Sequence, residues 1–193
     1  MDKAKVLCFC GADGAGKSAL ARLYAVWLWR CGCRVRVAWL RGSHTLASVL
    51  ARLLSRFQVF RGSCNPYYGI CVPHRLKRLW VWVELFSLLP VLFARFHIPR
   101  SLGYVVVGER GLLDFLVWLV VTLRDPSVAG SVVGRFVLGL ARRVCFNVYV
   151  HADLNTLVAR RRGSPEEPLL PLQLAVYDAV ARVCGLLGRQ HHW

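Results

Sequence analysis

Short apolar runs alternate along this chain with longer segments in which apolar residues recur every three or four positions. Val6–Cys10, Val35–Leu40, Tyr104–Val107 and Cys145–Val150 are too short for helices and read as buried strands. Between them, Lys17–Arg30 predicts a helix that stops before Cys31-Gly32, and Thr45–Phe57 a helix with Leu46, Val49, Leu50, Leu53 and Leu54 on one face. Arg75–Phe96 predicts an apolar helix, kinked or interrupted at Pro90, and Leu112–Leu123 and Ser131–Arg143 two more, separated by Asp125-Pro126. Leu154–Arg162 and Leu170–Leu187 complete the helical set. Residues 58–75 carry Gly62, Asn65, Pro66, Gly69 and Pro73 without a clear period, and predict a loop insertion. Alternating strands and helices of this kind predict an α/β fold, with a three-layer α/β/α arrangement around a central parallel sheet of four or five strands. No repeat or linker divides the 193 residues, so a single domain, 1–193, is expected.

The first strand runs into Gly11-Ala12-Asp13-Gly14-Ala15-Gly16-Lys17-Ser18, the G-x-x-x-x-G-K-[ST] pattern of a phosphate-binding loop in its strand–loop–helix setting. Glycines let successive N–H groups curl toward one anion at a helix N-terminus. Gly11, Asp13, Gly14, Ala15, Gly16, Lys17 and Ser18 are therefore the expected ATP-phosphate site, with Lys17 on the phosphates and Ser18 on Mg²⁺. Three further features follow strand ends, where open parallel sheets place ligands. Glu109-Arg110 offers a carboxylate for Mg²⁺ and a guanidinium for an acceptor phosphate, and Arg41 offers a second acceptor contact. Arg160, Arg161 and Arg162 open a lid, 157–169, whose cations can neutralise a phosphoryl group in transfer. Glu84 and Asp114 lie inside apolar helices and need partners, arginines or substrate groups, with Asp114 a candidate acceptor contact. Asp153 reads as a helix N-cap and His44 as a cap or packing residue.

Charge and composition adjust this picture modestly. The net charge of +16 suits anionic partners, but the basic residues are scattered rather than gathered in one stripe, so no nucleic-acid partner is expected. Hydrophobic residues make up 56% of the chain, yet Leu79–Ala94 is interrupted by Glu84 and Pro90. With the start of the chain leading directly into the first strand, a cytoplasmic protein without membrane contact is expected. The cysteines lack zinc spacing; Cys64 and Cys71 could form a disulfide, which with few Asn and Gln is compatible with a hot source.

The order of Asp13-Gly14-Ala15-Gly16-Lys17-Ser18, Glu109-Arg110 and Arg160-Arg161-Arg162-Gly163 resembles that in thymidylate kinases, and Leu40-Arg41-Gly42-Ser43-His44-Thr45 is similar to an archaeal branch of that family. The resemblance spans most of the chain. It implies a P-loop nucleoside monophosphate kinase using ATP and Mg²⁺, with thymidylate as the default acceptor, Asp13 on the acceptor nucleotide, catalytic Lys17 and Arg110, a lid arginine among Arg160–Arg162, and a homodimer through an apolar helix, Leu79–Leu89 or Leu112–Leu123. The chain departs from the family in carrying Glu109 where Asp is usual, in lacking an arginine within Leu79–Leu89, and in ending at Gly188–Trp193 without the usual last strand and helix. Two other readings are a non-catalytic ATP-binding regulatory protein and a kinase for another small phosphorylated acceptor.

Overall fold

The computed structural model describes residues 6–186; the chain start and Gly188–Trp193, on which some of these expectations fall, lie outside the described residues. The elements, in chain order, are β1 (Val6–Cys10), α1 (Lys17–Arg30), β2 (Val35–Ala38), α2 (Thr45–Leu54), β3 (Arg61–Asn65), α3 (Lys77–Leu92), α4 (Ile98–Ser101), β4 (Val105–Gly108), α5 (Leu112–Leu123), α6 (Ser127–Gly130), α7 (Val132–Val144), β5 (Phe146–Tyr149), α8 (Leu154–Arg161) and α9 (Leu170–Val183). Among the described residues, one four-stranded parallel sheet runs β2-β4-β1-β5. The chain leaves β1 toward one side and later crosses to the other. Such an order leaves its ligand crevice at the carboxyl ends of the central strands.

Strand alternation divides the core in two. Phe9 and Val107 face α1, where Ala21, Ala25 and Leu28 bury them. Val6, Cys8, Cys10 and Val106 face the opposite way, into a larger cluster with α3, α5, α7 and α9. Every residue of α5 is buried, including Asp114. The alternative that Leu112–Leu123 forms a dimer surface is therefore corrected: the helix is the centre of the core, surrounded on all sides.

Other expectations are refined. The helix around Pro90 is not interrupted: α3 continues through a π-helical turn, Phe93–His97, into α4. The insertion at 58–75 forms a hairpin in which Arg61 and Asn65 bridge to Ile70 and a disulfide joins Cys64 to Cys71. The expected stripe on α2 is only partly its core face: Leu50 and Leu54 pack against the core. Leu46, Val49 and Leu53 are exposed, while Ala47 and Ala51 are fully buried. Small side chains let α2 lie close to α3, and Ser87 locks the contact by donating to the Val83 carbonyl while accepting from the Ala47 N–H at 2.8 Å. On α1, Leu20, Leu23 and Trp27 are also exposed, as is Phe146 of β5.

Candidate functional site

The glycine-rich loop after β1 owes its path to positive φ angles at Gly11, Gly14 and Gly16. A Cβ on Gly11 would fall 2.2 Å from the Val150 carbonyl oxygen, so only glycine lets the loop pass under the end of β5. Gly16 then caps α1, placing Lys17 in its first turn. Lys17 is buried and folds back over the loop. Its Nζ donates to the Gly11 and Ala12 carbonyls, both at 2.7 Å, and lies 3.9 Å from Asp13 Oδ1. Burial, with Arg110 beside it, brings its pKa down to about 8, against the pull of Asp114 and Asp13.

Asp13 is the hub. Arg41, just past β2, donates to its Oδ2 at 3.0 Å, and Arg110, past β4, donates to Oδ1. Gln173 of α9 donates to Oδ2 at 3.4 Å and accepts the Asp13 N–H at 3.3 Å. Burial alone would raise the Asp13 pKa, but Arg110, Arg41 and Lys17 outweigh it and hold the carboxylate well below its usual range. Asp114 sits one helical turn into α5, its Oδ2 accepting the Gly111 N–H at 2.9 Å and its Oδ1 the Tyr177 hydroxyl at 2.7 Å, with Arg110 at 4.0 Å. Burial raises the Asp114 pKa despite Lys17 and Arg110. Arg110 is largely removed from water, which disfavours its charge, but Asp13 and Asp114 more than restore it and push its pKa up.

Arg41 has a second set of partners. It donates to the Tyr67 hydroxyl at 2.8 Å, lies 3.8 Å from Glu166 Oε1, and stacks over the rings of Tyr67 and Trp118 at 5.0 and 4.6 Å. Tyr67, at the tip of the β3 hairpin, donates to Glu166. The Arg41–Thr45 loop is braced rather than slack. Ser43 and Thr45 have φ of 55° and 40°, and buried Glu84 accepts the Ser43 N–H at 2.5 Å and its hydroxyl at 2.6 Å. Glu84 therefore pairs with a loop turn and not with an arginine. His44 precedes α2 as its cap, and its Nε2 accepts the Arg41 N–H at 3.0 Å, so it positions rather than reacts.

The cluster thus balances Lys17, Arg41 and Arg110 against Asp13, Asp114 and Glu166. Asp13, Arg41, Arg110, Asp114, Trp118 and Tyr177 line a cavity of about 10 Å³, room for roughly one water. Of the residues expected to act, Lys17, Asp13, Arg41, Arg110 and Asp114 are brought together. Ser18 and Glu109 are not joined by a hydrogen bond: Ser18 is exposed, and Glu109 pairs with Arg22 at 3.4 Å.

The segment expected to form a lid, 157–169, consists of the end of α8, a turn and a short helical turn at Glu167–Leu169. Arg160 donates to the Gly14 carbonyl at 3.0 Å, and Arg161 packs its stem on Gly14. Arg162 caps α8, exposed and without an ion pair among the described residues. Asp153 is the N-cap expected, accepting the Thr156 N–H at 2.9 Å.

Gln173, Tyr177, Glu166 and Trp118 escaped the sequence reading. The signals existed: Gln173 and Tyr177 are polar groups one turn apart in an apolar helix, and Trp118 follows Asp114 by one turn of α5. The chain matches no protein-family model and no curated protein.

Proposed function

We propose that this chain is a P-loop phosphotransferase of the three-layer α/β/α type. On this reading it moves the γ-phosphoryl group of ATP to a nucleoside monophosphate, in the manner of thymidylate kinases. The observation that carries this reading is the convergence of Lys17, Arg41 and Arg110 on one point at the carboxyl edge of the sheet. Two buried cations and a third that is largely buried, all beyond the carboxyl ends of strands, form the kind of clamp that two facing phosphates require. In the free chain Asp13 holds that point, its carboxylate bonded by the guanidiniums a phosphate would engage.

The residues fit ATP and Mg²⁺. The glycine cradle and the first turn of α1 present N–H groups to an anion, Lys17 is already buried beside them, and Ser18 with Glu109 supply oxygens for a cation. Mg²⁺, when bound, neutralises charge on the phosphate oxygens. The chain's own part is positioning. Lys17 exchanges the Gly11 and Ala12 carbonyls for phosphate, Arg41 and Arg110 hold the acceptor, and Arg160, seated on Gly14, brings a cation over the loop. No residue need act as a strong base.

A second reading, an ATP-binding protein without transfer activity, is favoured by the tightness of the cavity and by the engagement of every clamp cation with a protein acceptor. One set of assays separates the two. Incubation of the protein with ATP-Mg²⁺ and each nucleoside monophosphate yields a diphosphate, and Lys17→Ala or Arg110→Ala lowers turnover by about 10²-fold or more with an unchanged circular dichroism spectrum. ATP binding by calorimetry with no product from any acceptor, sugar phosphates included, establishes the second reading and overturns the first.

A further inference from the structure

The longest helix of the molecule turns an apolar face outward. Residues 74–101 form one run long and apolar enough to cross a membrane, but Trp80, Val81, Glu84, Leu85 and Leu88 bury its inner side in the core, so it forms an outer wall of the fold. On the opposite side Leu79, Trp82, Phe86, Leu89 and Phe93 repeat at alternating steps of three and four, a straight stripe along the helix. These residues are 62%, 44%, 59%, 37% and 56% exposed. At about 200 Å² per large side chain, that leaves roughly 500 Å² of apolar surface uncovered. The neighbouring helix α2 exposes Leu46, Val49 and Leu53, and the turn after it Phe57 and Val59, roughly as much apolar surface again.

Charge decides what covers this surface. Exposed Arg52 and Arg56 flank the α2 stripe, Arg75 and Arg78 stand at the start of α3, Arg95 in the π turn, and Arg135 on α7. Glu84, the acid of α3, is fully buried, and no acidic residue lies in α2, α7 or the π turn. Asp125, beside Arg78, Trp82 and Arg135, is already paired with Lys77 at 3.7 Å, so two copies pressed together here would bring arginines against arginines with only that engaged carboxylate to offset them. An apolar strip of Trp, Phe and Leu rimmed by cations suits a surface that is apolar inside and anionic at its edge.

We propose that the α2–α3 face docks on an anionic lipid bilayer, with α3 lying in the plane of the headgroups and Trp82, Phe86 and Phe93 entering the acyl boundary. The phosphates of the lipids meet Arg75 and Arg78. The inference is independent of the catalytic reading, since none of these residues touches the Asp13 cluster.

Flotation of the full chain with vesicles of equal parts phosphatidylcholine and phosphatidylglycerol tests it, with pure phosphatidylcholine vesicles and added salt as the other arms. The protein floats with the anionic vesicles, stays behind with the neutral ones, and is released as salt rises. Phe86→Ser with Phe93→Ser lowers partition about ten-fold or more, and Arg75→Gln with Arg78→Gln lowers binding to anionic vesicles alone. Both variants lie on the exposed face, and their thermal unfolding is measured beside the parent to verify folding. Light scattering after size exclusion reports a monomer. The proposal is overturned by failure to float, by equal partition into neutral and anionic vesicles, or by a dimer that Phe86→Ser dissociates and that ignores vesicles.

Discussion

Replacing Asp13 by Asn removes the charge on which the site's cations converge while keeping the side chain's shape. Asp13 is 1% exposed and accepts bonds from Arg41, Arg110 and Gln173, with Lys17 at 3.9 Å. The parent cluster balances three cations against three carboxylates; the variant carries an excess positive charge with almost no access to water. Breaking a buried pair by removing one partner costs about 3–5 kcal/mol. In a chain of this size each kcal/mol shifts Tm by about 2–4 °C, so Asp13→Asn lowers Tm by roughly 6–20 °C at neutral pH. The pH dependence has a definite sign. The folded-state pKa of Asp13 lies far below the unfolded value, because Arg110, Arg41 and Lys17 overcome burial. Its stabilisation is complete above the unfolded pKa, about 4, and fades as pH falls from there toward the folded value. The gap between parent and variant therefore narrows in acid. Inorganic phosphate supplies the missing anion and raises the variant's Tm more than the parent's. Thermal unfolding across pH, with and without phosphate, measures all three effects. A variant within about 1 kcal/mol of the parent, with no preferential response to phosphate, refutes the view that Asp13 holds the place of an anionic ligand.

Two further predictions concern the same loop. Gly11→Ala combines a φ of 149° with a Cβ 2.2 Å from the Val150 oxygen, and destabilises by about 3 kcal/mol or more; Gly16→Ala, with no atom within 4 Å, costs only the left-handed strain, about 1–2 kcal/mol. Chemical denaturation of the two variants that ranks them equal removes the packing argument. Lys17, brought down to about 8 by burial and Arg110, has lost its proton in the folded chain between pH 8 and its ordinary value of 10.5, while the unfolded chain keeps it. Its contribution therefore makes the fold more stable as pH rises through that window, by up to about 3 kcal/mol. Lys17→Met abolishes that part of the pH profile, and superimposable profiles for the two proteins contradict the assignment.

Much of the site was legible because local order carries it. Lys17 and Asp13 belong to one loop, and Arg41 and Arg110 each follow a strand within three residues. In a parallel sheet the ends of successive strands meet at one edge, so placing the strands places the cations. Gln173 and Tyr177 are different. They reach Asp13 and Asp114 from positions 160 and 63 residues away; their spacing in an apolar helix marks them as polar groups in need of partners, but nothing in the sequence names those partners. Glu166 and Tyr67 likewise meet only because the β3 hairpin and the turn before α9 close over Arg41 from two sides.

Apolar periodicity by itself determined that there are helices here, where the strands lie between them, and that a glycine-rich loop joins β1 to α1. It determined that α2 has an apolar stripe and that α3 is an apolar helix, but not which side of either turns inward. That was decided by packing: Ala47 and Ala51 are small enough to let α2 approach α3, and Glu84 is drawn inward by the Ser43 N–H and hydroxyl. Periodicity measures the contrast between two faces of a helix, whereas burial depends on what neighbouring elements bring against each face. Only the assembled fold supplies those neighbours.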